Sequence, residues 1–231
     1  MIHIFYRHYQ NDNLEHTTTR SRPDWFSYKT CFDNMLHTIK NTDARLTVMM
    51  DGEVSQWIDV NSNTDYSVHQ FDGGSDSASA AYTYKYIQKL LTESKIKKDD
   101  LIYVAENDYL HINGWVEEVE TLFTTYNGLH YVSLYDHNDK YISSMYSDLT
   151  SKIFTTSTHH WRSTPSTCGT YIARAELLMD DLNDHLDVVG DHNKWIHLNH
   201  TKQRFILTPI PGLSTHCMEG LLSPTIKWKE I

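Results

Sequence analysis

The apolar run from Leu101 to Ala105 breaks directly into Glu106, Asn107, Asp108 and Tyr109. In an extended chain, residues i and i+2 point to the same side. Glu106 and Asp108 are therefore expected to converge on one ion while Asn107 faces away. Two hard oxygen donors suit Mg²⁺ or Mn²⁺. The plainer alternative is a solvated loop, with Asp108 capping a helix that starts near Ile112. Arg20 and Arg22 stand just before Pro23 and Trp25. A guanidinium there would clamp a phosphate or stack on a base, or simply face solvent. Gly73 and Gly74 make a tight turn before a helix, followed by Ser75, Ser77 and Ser79. The free N–H groups of such a terminus offer a seat to an anion or a sugar hydroxyl, although an ordinary helix start needs the same residues. Asp51 closes another apolar run as part of Asp51-Gly52, a common turn pair. Asp191 precedes a short helix that it could equally well cap. His159, His160, His192, His197 and His200 show no metal-ligand spacing.

The elements that must position these residues follow from periodicity. Ile2 to Arg7 reads as a first strand. Trp25, Tyr28, Phe32, Met35, Leu36 and Ile39 recur at helical spacing behind Pro23 and Asp24. A second strand runs from Ala44 to Asp51, a third covers Tyr66 to Phe71, and a helix spans Asp76 to Thr92. Leu101 to Ala105 is a strand. Ile112, Trp115, Val116, Val119, Leu122 and Phe123 form an amphipathic helix, and another strand lies between His130 and Asp136. Four alternations of strand and helix argue for βαβ units and a mainly parallel, doubly wound sheet. Beyond about residue 138 the rhythm breaks into shorter strands, a helix and a final strand-rich segment. Residues 1–135 are expected to build the sheet, and 136–231 to complete it and carry a second wall.

Composition narrows the function. The chain has 231 residues, is 39% hydrophobic and carries 15 Tyr and 6 Trp, enough for a sizeable core. Its formal net charge is -10 and no long Lys/Arg run is present. A large phosphate-neutralising face is therefore not expected, which disfavours a nucleic-acid partner while leaving a small local patch open. Cys31, Cys168 and Cys217 are scattered without a CxxC pair, which suits a reducing compartment. The first ten residues carry His3, Arg7 and His8 and are too short for a signal-peptide core. No apolar run approaches the roughly 18 residues of a membrane span. A cytoplasmic protein is expected, and the usage rich in Asn, Asp, Lys and Tyr suits an AT-rich bacterial or phage genome.

The stretch Tyr103 to His111 resembles the GT-A glycosyltransferases, the nucleotide-sugar transferases with a single Rossmann-like domain. In that family a strand ends in a DxD-type motif, written EDDY in some bacterial branches. Glu106-Asn107-Asp108-Tyr109 is similar to that variant, with Asn in place of the middle acid. The departure leaves Asp108 as the first candidate ligand. The region from Arg20 to Asn34, the end of the second strand at Asp51 and the closing Pro211 to Trp228 are also similar to these enzymes. The resemblance implies an α/β fold, a single GT-A domain with a mainly parallel central sheet flanked by helices. It implies a nucleotide-sugar donor, first of all a UDP-sugar, and a saccharide or other hydroxyl acceptor. Asp108, Glu106 and His216 are implied as holders of Mn²⁺ or Mg²⁺, and Asp51 as the partner of the nucleobase edge. Arg20, Arg22, Gly74, Ser75, Ser79, Glu106 and Asn107 would lie beside the donor. Asp191 is implied as the base of an inverting transfer. Trp161, Arg162, Thr167, Cys168 and Gly169 would line the acceptor side, with a core position as the alternative for Trp161. Three other functions remain open: glycosylation of a modified DNA base in a phage, a non-catalytic sugar- or nucleotide-binding module, and nucleotidyl transfer.

Overall fold

A computed structural model describes residues 1–9, 21–60 and 65–231. Along the chain it forms β1 (Ile2–Tyr9), α1 (Tyr28–Ile39), β2 (Arg45–Asp51), β3 (Tyr66–Phe71), α2 (Asp76–Thr92), β4 (Leu101–Glu106) and β5 (Tyr109–His111). These are followed by α3 (Trp115–Thr125), β6 (Tyr131–Val132), α4 (Asp139–Ile142), β7 (Ile153–Thr155), β8 (His160–Thr164), β9 (Tyr171–Arg174) and α5 (Ala175–Asp180). The chain closes with α6 (Leu182–Asp187), α7 (Asp191–Lys202), β10 (Ile206–Ile210) and β11 (Ser214–His216).

One nine-stranded sheet has the order β3-β2-β1-β4-β9-β6-β10-β8-β7. β3, β2, β1 and β4 pair in parallel, as do β6 and β10. β9 is antiparallel to both its neighbours, and β8 to both of its own. The sheet is thus mainly parallel, with β8 and β9 running against the rest. β5 and β11 form a separate two-stranded ladder.

The strand pleat sorts the core into two faces. Ile4 and Tyr6 of β1, Val48 and Met50 of β2, and Tyr103 and Ala105 of β4 pack against Phe32 and Met35 of α1 and Trp115 and Val119 of α3. Phe5, Met49, Ile102 and Val104 face the other way, onto Tyr84 and Ile87 of α2 and Leu178, Trp195 and Leu198 beyond. Strands covered on both faces need near-continuous apolar runs, which is what β2 and β4 present.

Some boundaries differ from the periodicity. α1 begins at Tyr28, because the Ser27 hydroxyl accepts from Thr30 N and caps it, while Pro23 and Phe26 close a turn before it. α3 begins at Trp115 behind Gly114, whose φ is +87°. Ile112 N donates instead to Leu213 O at 3.0 Å, so Asp108 caps no helix. Among the described residues no helix is long and apolar enough to cross a membrane.

Candidate active site

Strand order places the site. From β1 the chain steps outward to β2 and β3, then returns to β4 on the opposite side of β1. In such sheets the crevice beyond the carboxyl ends at the reversal point receives ligands. Arg7, His8 and Tyr9 at the end of β1, with Glu106, Asn107 and Asp108 after β4, line a cavity of about 630 Å³ there. Asp51, Gly74, Ser75 and Ser79 form another wall, and Asp191, His216 and Cys168 complete the lining. Nine of the eleven residues expected to hold the donor, the metal or the acceptor's proton therefore share one cavity. Arg22 stands behind Asp108, and Arg20 lies outside the described residues.

Asp51 organises its wall. Its Oδ1 accepts from Gly73 N at 2.7 Å and, more weakly, from Gly74 N at 3.4 Å. A Cβ on Gly73 would stand 2.6 Å from Asp51 Oδ2 and 3.1 Å from Ser79 N, so the turn closes only around glycine. Gly74 follows at φ +77°, a backbone region that favours glycine. Ser75 then caps α2, its hydroxyl accepting from Ala78 N at 3.2 Å.

Glu106 and Asp108 share the cavity but not their partners. The i, i+2 rule holds only while the chain is extended, and β4 ends at Glu106. Glu106 is level with Arg7 across the β1–β4 ladder. Its Oε2 accepts from Thr170 Oγ1 at 3.1 Å, and its Oε1 lies 3.7 Å from Arg7 Nη1. Gly169 backs it so closely that a Cβ would meet Oε1 at 2.8 Å. Burial, and then the Asp108 charge, push the Glu106 carboxyl up to about 7 against the pull of Arg7. Arg7 itself is buried. Its Nη2 donates to Asp76 O at 2.9 Å and Asp76 Oδ1 at 2.5 Å, while Nε has no hydrogen-bond partner among the described residues.

Asp108 turns toward the opposite face. Its Oδ2 lies 2.8 Å from His216 Nε2 and accepts from Arg22 Nη2 at 2.7 Å. The β5–β11 ladder brings His216 there, pairing it with Tyr109, on whose ring it stacks at 5.0 Å. Burial would raise the Asp108 pKa, but the charges and hydrogen bonds of His216 and Arg22 outweigh it and hold the carboxyl well below the usual range. Asn107 Nδ2 lies 2.9 Å from His8 Nδ1, and Asn107 O accepts from Tyr6 OH at 3.1 Å, which pins the turn between the two acids.

Asp191 is the first residue of α7, with Gly190 before it and no side-chain cap. Its side chain is 44% exposed, with Oδ1 3.6 Å from Lys194 Nζ. Of the expected acceptor-side group, Cys168 reaches the cavity and Gly169 backs Glu106. Trp161 does not, because it is fully buried in the core. Arg162 donates to Asp136 Oδ1 at 2.7 Å, and Thr167 shares a hydrogen bond with Ser133 at 2.7 Å. Arg7, His8, Tyr9, Tyr28 and Asp76 belong to the lining but escaped the sequence reading as site residues. A lone arginine inside an otherwise buried strand was the available signal for Arg7.

Among the described residues no three His, Cys, Asp or Glu side chains group into a metal-binding set. Asp108 and His216 nevertheless offer one carboxylate oxygen and one imidazole nitrogen side by side at the cavity wall. Asp108 and His216 would hold a divalent ion there through one oxygen and one nitrogen, and a ligand and water would have to supply its other donors. Glu106 lies farther round the wall, turned toward Thr170.

No family model matches the chain, and no curated protein matches it in sequence. Among solved structures, the chain is similar to the galactosyltransferase LgtC in complex with donor and acceptor sugar analogs. That likeness has 10% identity and a TM-score of 0.40, covering 84% of this chain and 69% of the other. It is also similar to CMP:2-keto-3-deoxy-manno-octonic acid synthetase complexed with CTP, at 12% identity and a TM-score of 0.47, over 91% of this chain and 92% of the other.

Proposed function

We propose that this chain is a metal-dependent glycosyltransferase that moves a sugar from a nucleotide-diphosphate donor, first of all a UDP-sugar, to a hydroxyl acceptor. The observation that carries the reading is the meeting of Asp108 and His216, 108 residues apart, at the reversal point of the sheet. Around them the cavity is lined by Asp51, Asp76, Glu106 and Asp191, all acids. A dianionic donor enters such a wall only with cations to offset it. Asp108 and His216 would hold Mn²⁺ or Mg²⁺, which would neutralise charge building on the departing diphosphate.

The chain's own residues supply the rest. Asp51 and the α2 turn hold the nucleoside, with the Asp51 carboxylate accepting from the base edge. Arg7 and Glu106, level with each other across two strands, present a donor and an acceptor to sugar hydroxyls. Asp191 opens into the same cavity from α7 and takes the acceptor's proton as that oxygen attacks the anomeric carbon opposite the leaving diphosphate, which gives inversion. Lys194 orients the Asp191 carboxylate from one helical turn away.

The test is turnover. A panel of nucleotide sugars with Mn²⁺ and candidate saccharide acceptors should show release of one nucleoside diphosphate that rises with acceptor. Release of pyrophosphate from a nucleoside triphosphate and a sugar phosphate would point to nucleotidyl transfer instead. Tight binding of a donor without any release would mark a binding module.

A further inference from the structure

Asp108 already has a cation. Arg22 Nη2 donates to Asp108 Oδ2 at 2.7 Å, the same oxygen that faces His216 Nε2 at 2.8 Å. A carboxylate oxygen has two lone pairs, so these two contacts occupy it on the side where Asp108 and His216 meet. The guanidinium is held from behind by contacts that do not involve Asp108. Its Nη1 donates to Cys217 O at 2.9 Å, and its Cζ lies 4.7 Å from the centre of the Phe26 ring. The segment carrying it is tied to the closing strand region through Ser21 O, which accepts from Glu219 N at 3.0 Å. Arg22 is thus anchored beside the cavity whether or not it grips Asp108.

We propose that Arg22 is the resident cation of the Asp108–His216 pair, and that a divalent ion reaches Asp108 only as Arg22 releases it. This rests on the transferase reading for the presence of the ion. Without ligand, Arg22 offsets a buried carboxylate that would otherwise be left with the imidazole alone. When a diphosphate arrives, the released guanidinium pivots on Cys217 O and presents its planar fork to phosphate oxygens. The exchange makes the ion and the diphosphate bind better together than apart, and by linkage each strengthens the other equally.

The experiment is Mn²⁺ binding to the full chain, with free Mn²⁺ counted by its electron spin resonance signal, with and without each common nucleoside diphosphate. Arg22→Gln removes a like charge that contacts Asp108 Oδ2, and between charges about 4 Å apart such a repulsion is worth well over a factor of ten at an effective dielectric of about 20. The variant should therefore bind Mn²⁺ alone at least about tenfold more tightly than the wild type, and gain less from the diphosphate. Asp108→Ala should weaken binding in both backgrounds. If Arg22→Gln binds Mn²⁺ no more tightly while Asp108→Ala still weakens it, the ion sits on Asp108 but Arg22 does not compete, and the inference is overturned. If Asp108→Ala changes nothing in either background, the metal reading itself falls and takes the inference with it. Should Arg22→Gln not fold, Arg22→Met keeps the apolar stem without the charge, is expected to bind Mn²⁺ alone at least about tenfold more tightly than wild type, and overturns the proposal if its affinity equals wild type.

Discussion

Replacing Asp181 with asparagine should cut stability while sparing the cavity. Asp181 is fully buried where α5 gives way to α6. Its carboxylate accepts from Tyr131 OH at 2.8 Å, Lys202 Nζ at 3.1 Å, and Arg204 Nε and Nη2 at 2.9 and 3.0 Å. These bonds fasten the far end of α7, the helix that starts at Asp191. Removing one partner of a buried ion pair costs about 3–5 kcal/mol. Arg204 and Lys202 are 20% and 33% exposed and can rehydrate, which favours the low end. A loss of about 3 kcal/mol corresponds to a fall in Tm of roughly 6–12 °C for a chain of this size. The pH dependence has a definite sign. Burial would raise the Asp181 pKa, but the bonds from Arg204, Tyr131 and Lys202 outweigh it and leave the folded pKa lowered. The unfolded chain therefore binds the proton more readily, so the stabilisation is full above about pH 4 and lost as pH falls through the folded value. Urea unfolding followed by tryptophan fluorescence should show the full deficit of Asp181→Asn at pH 7 and a smaller one near pH 3. An Asp181→Asn variant as stable as wild type at pH 7, or a deficit that grows on acidification, would refute the reasoning.

Two further predictions concern the site. Gly73→Ala drives a Cβ to 2.6 Å from Asp51 Oδ2, so overpacking and the weakened Asp51 hydrogen bonds should cost about 2–4 kcal/mol in thermal or urea unfolding. It should also weaken nucleoside diphosphate binding measured by calorimetry. Asp191→Asn should lower the transfer rate by at least about 100-fold while donor affinity stays within about twofold, because the carboxylate acts on the acceptor's proton. Turnover close to wild type would remove Asp191 from the base role.

Much of the parallel half was legible because its signals are local. β2, β3, α2 and β4 are bounded by the Asp51-Gly52 pair, the paired glycines after Phe71 and the acids after Ala105, which stop a strand or start a helix through their own backbone chemistry. The lining residues that close β2 and follow β4 were legible for the same reason, whereas Arg7 and His8 at the end of β1 were not. What stayed hidden depends on partners distant in sequence. β9 slots between β4 and β6 against the prevailing direction, and nothing within Tyr171–Arg174 announces its neighbours. β5 is a strand only because β11, more than 100 residues later, pairs with it. The separation of Glu106 from Asp108 follows from a turn held by Tyr6 and His8, whose contacts with Asn107 periodicity cannot show. Trp161 looked available for a sugar face, but it lies on β8 between β7 and β10, where the sheet buries it.

In the proposed function, Asp108 carries a cation on which the donor's diphosphate depends. It is tested most directly by thermal unfolding with each nucleoside diphosphate, in Mn²⁺ and in EDTA, for wild type and Asp108→Ala. At about a hundred times its Kd, a ligand adds roughly 2.7 kcal/mol, a rise in Tm of about 5–10 °C here. That rise is expected for one diphosphate with Mn²⁺ only, and it should be lost in Asp108→Ala. An equal rise in EDTA, or one that survives the substitution, would contradict it.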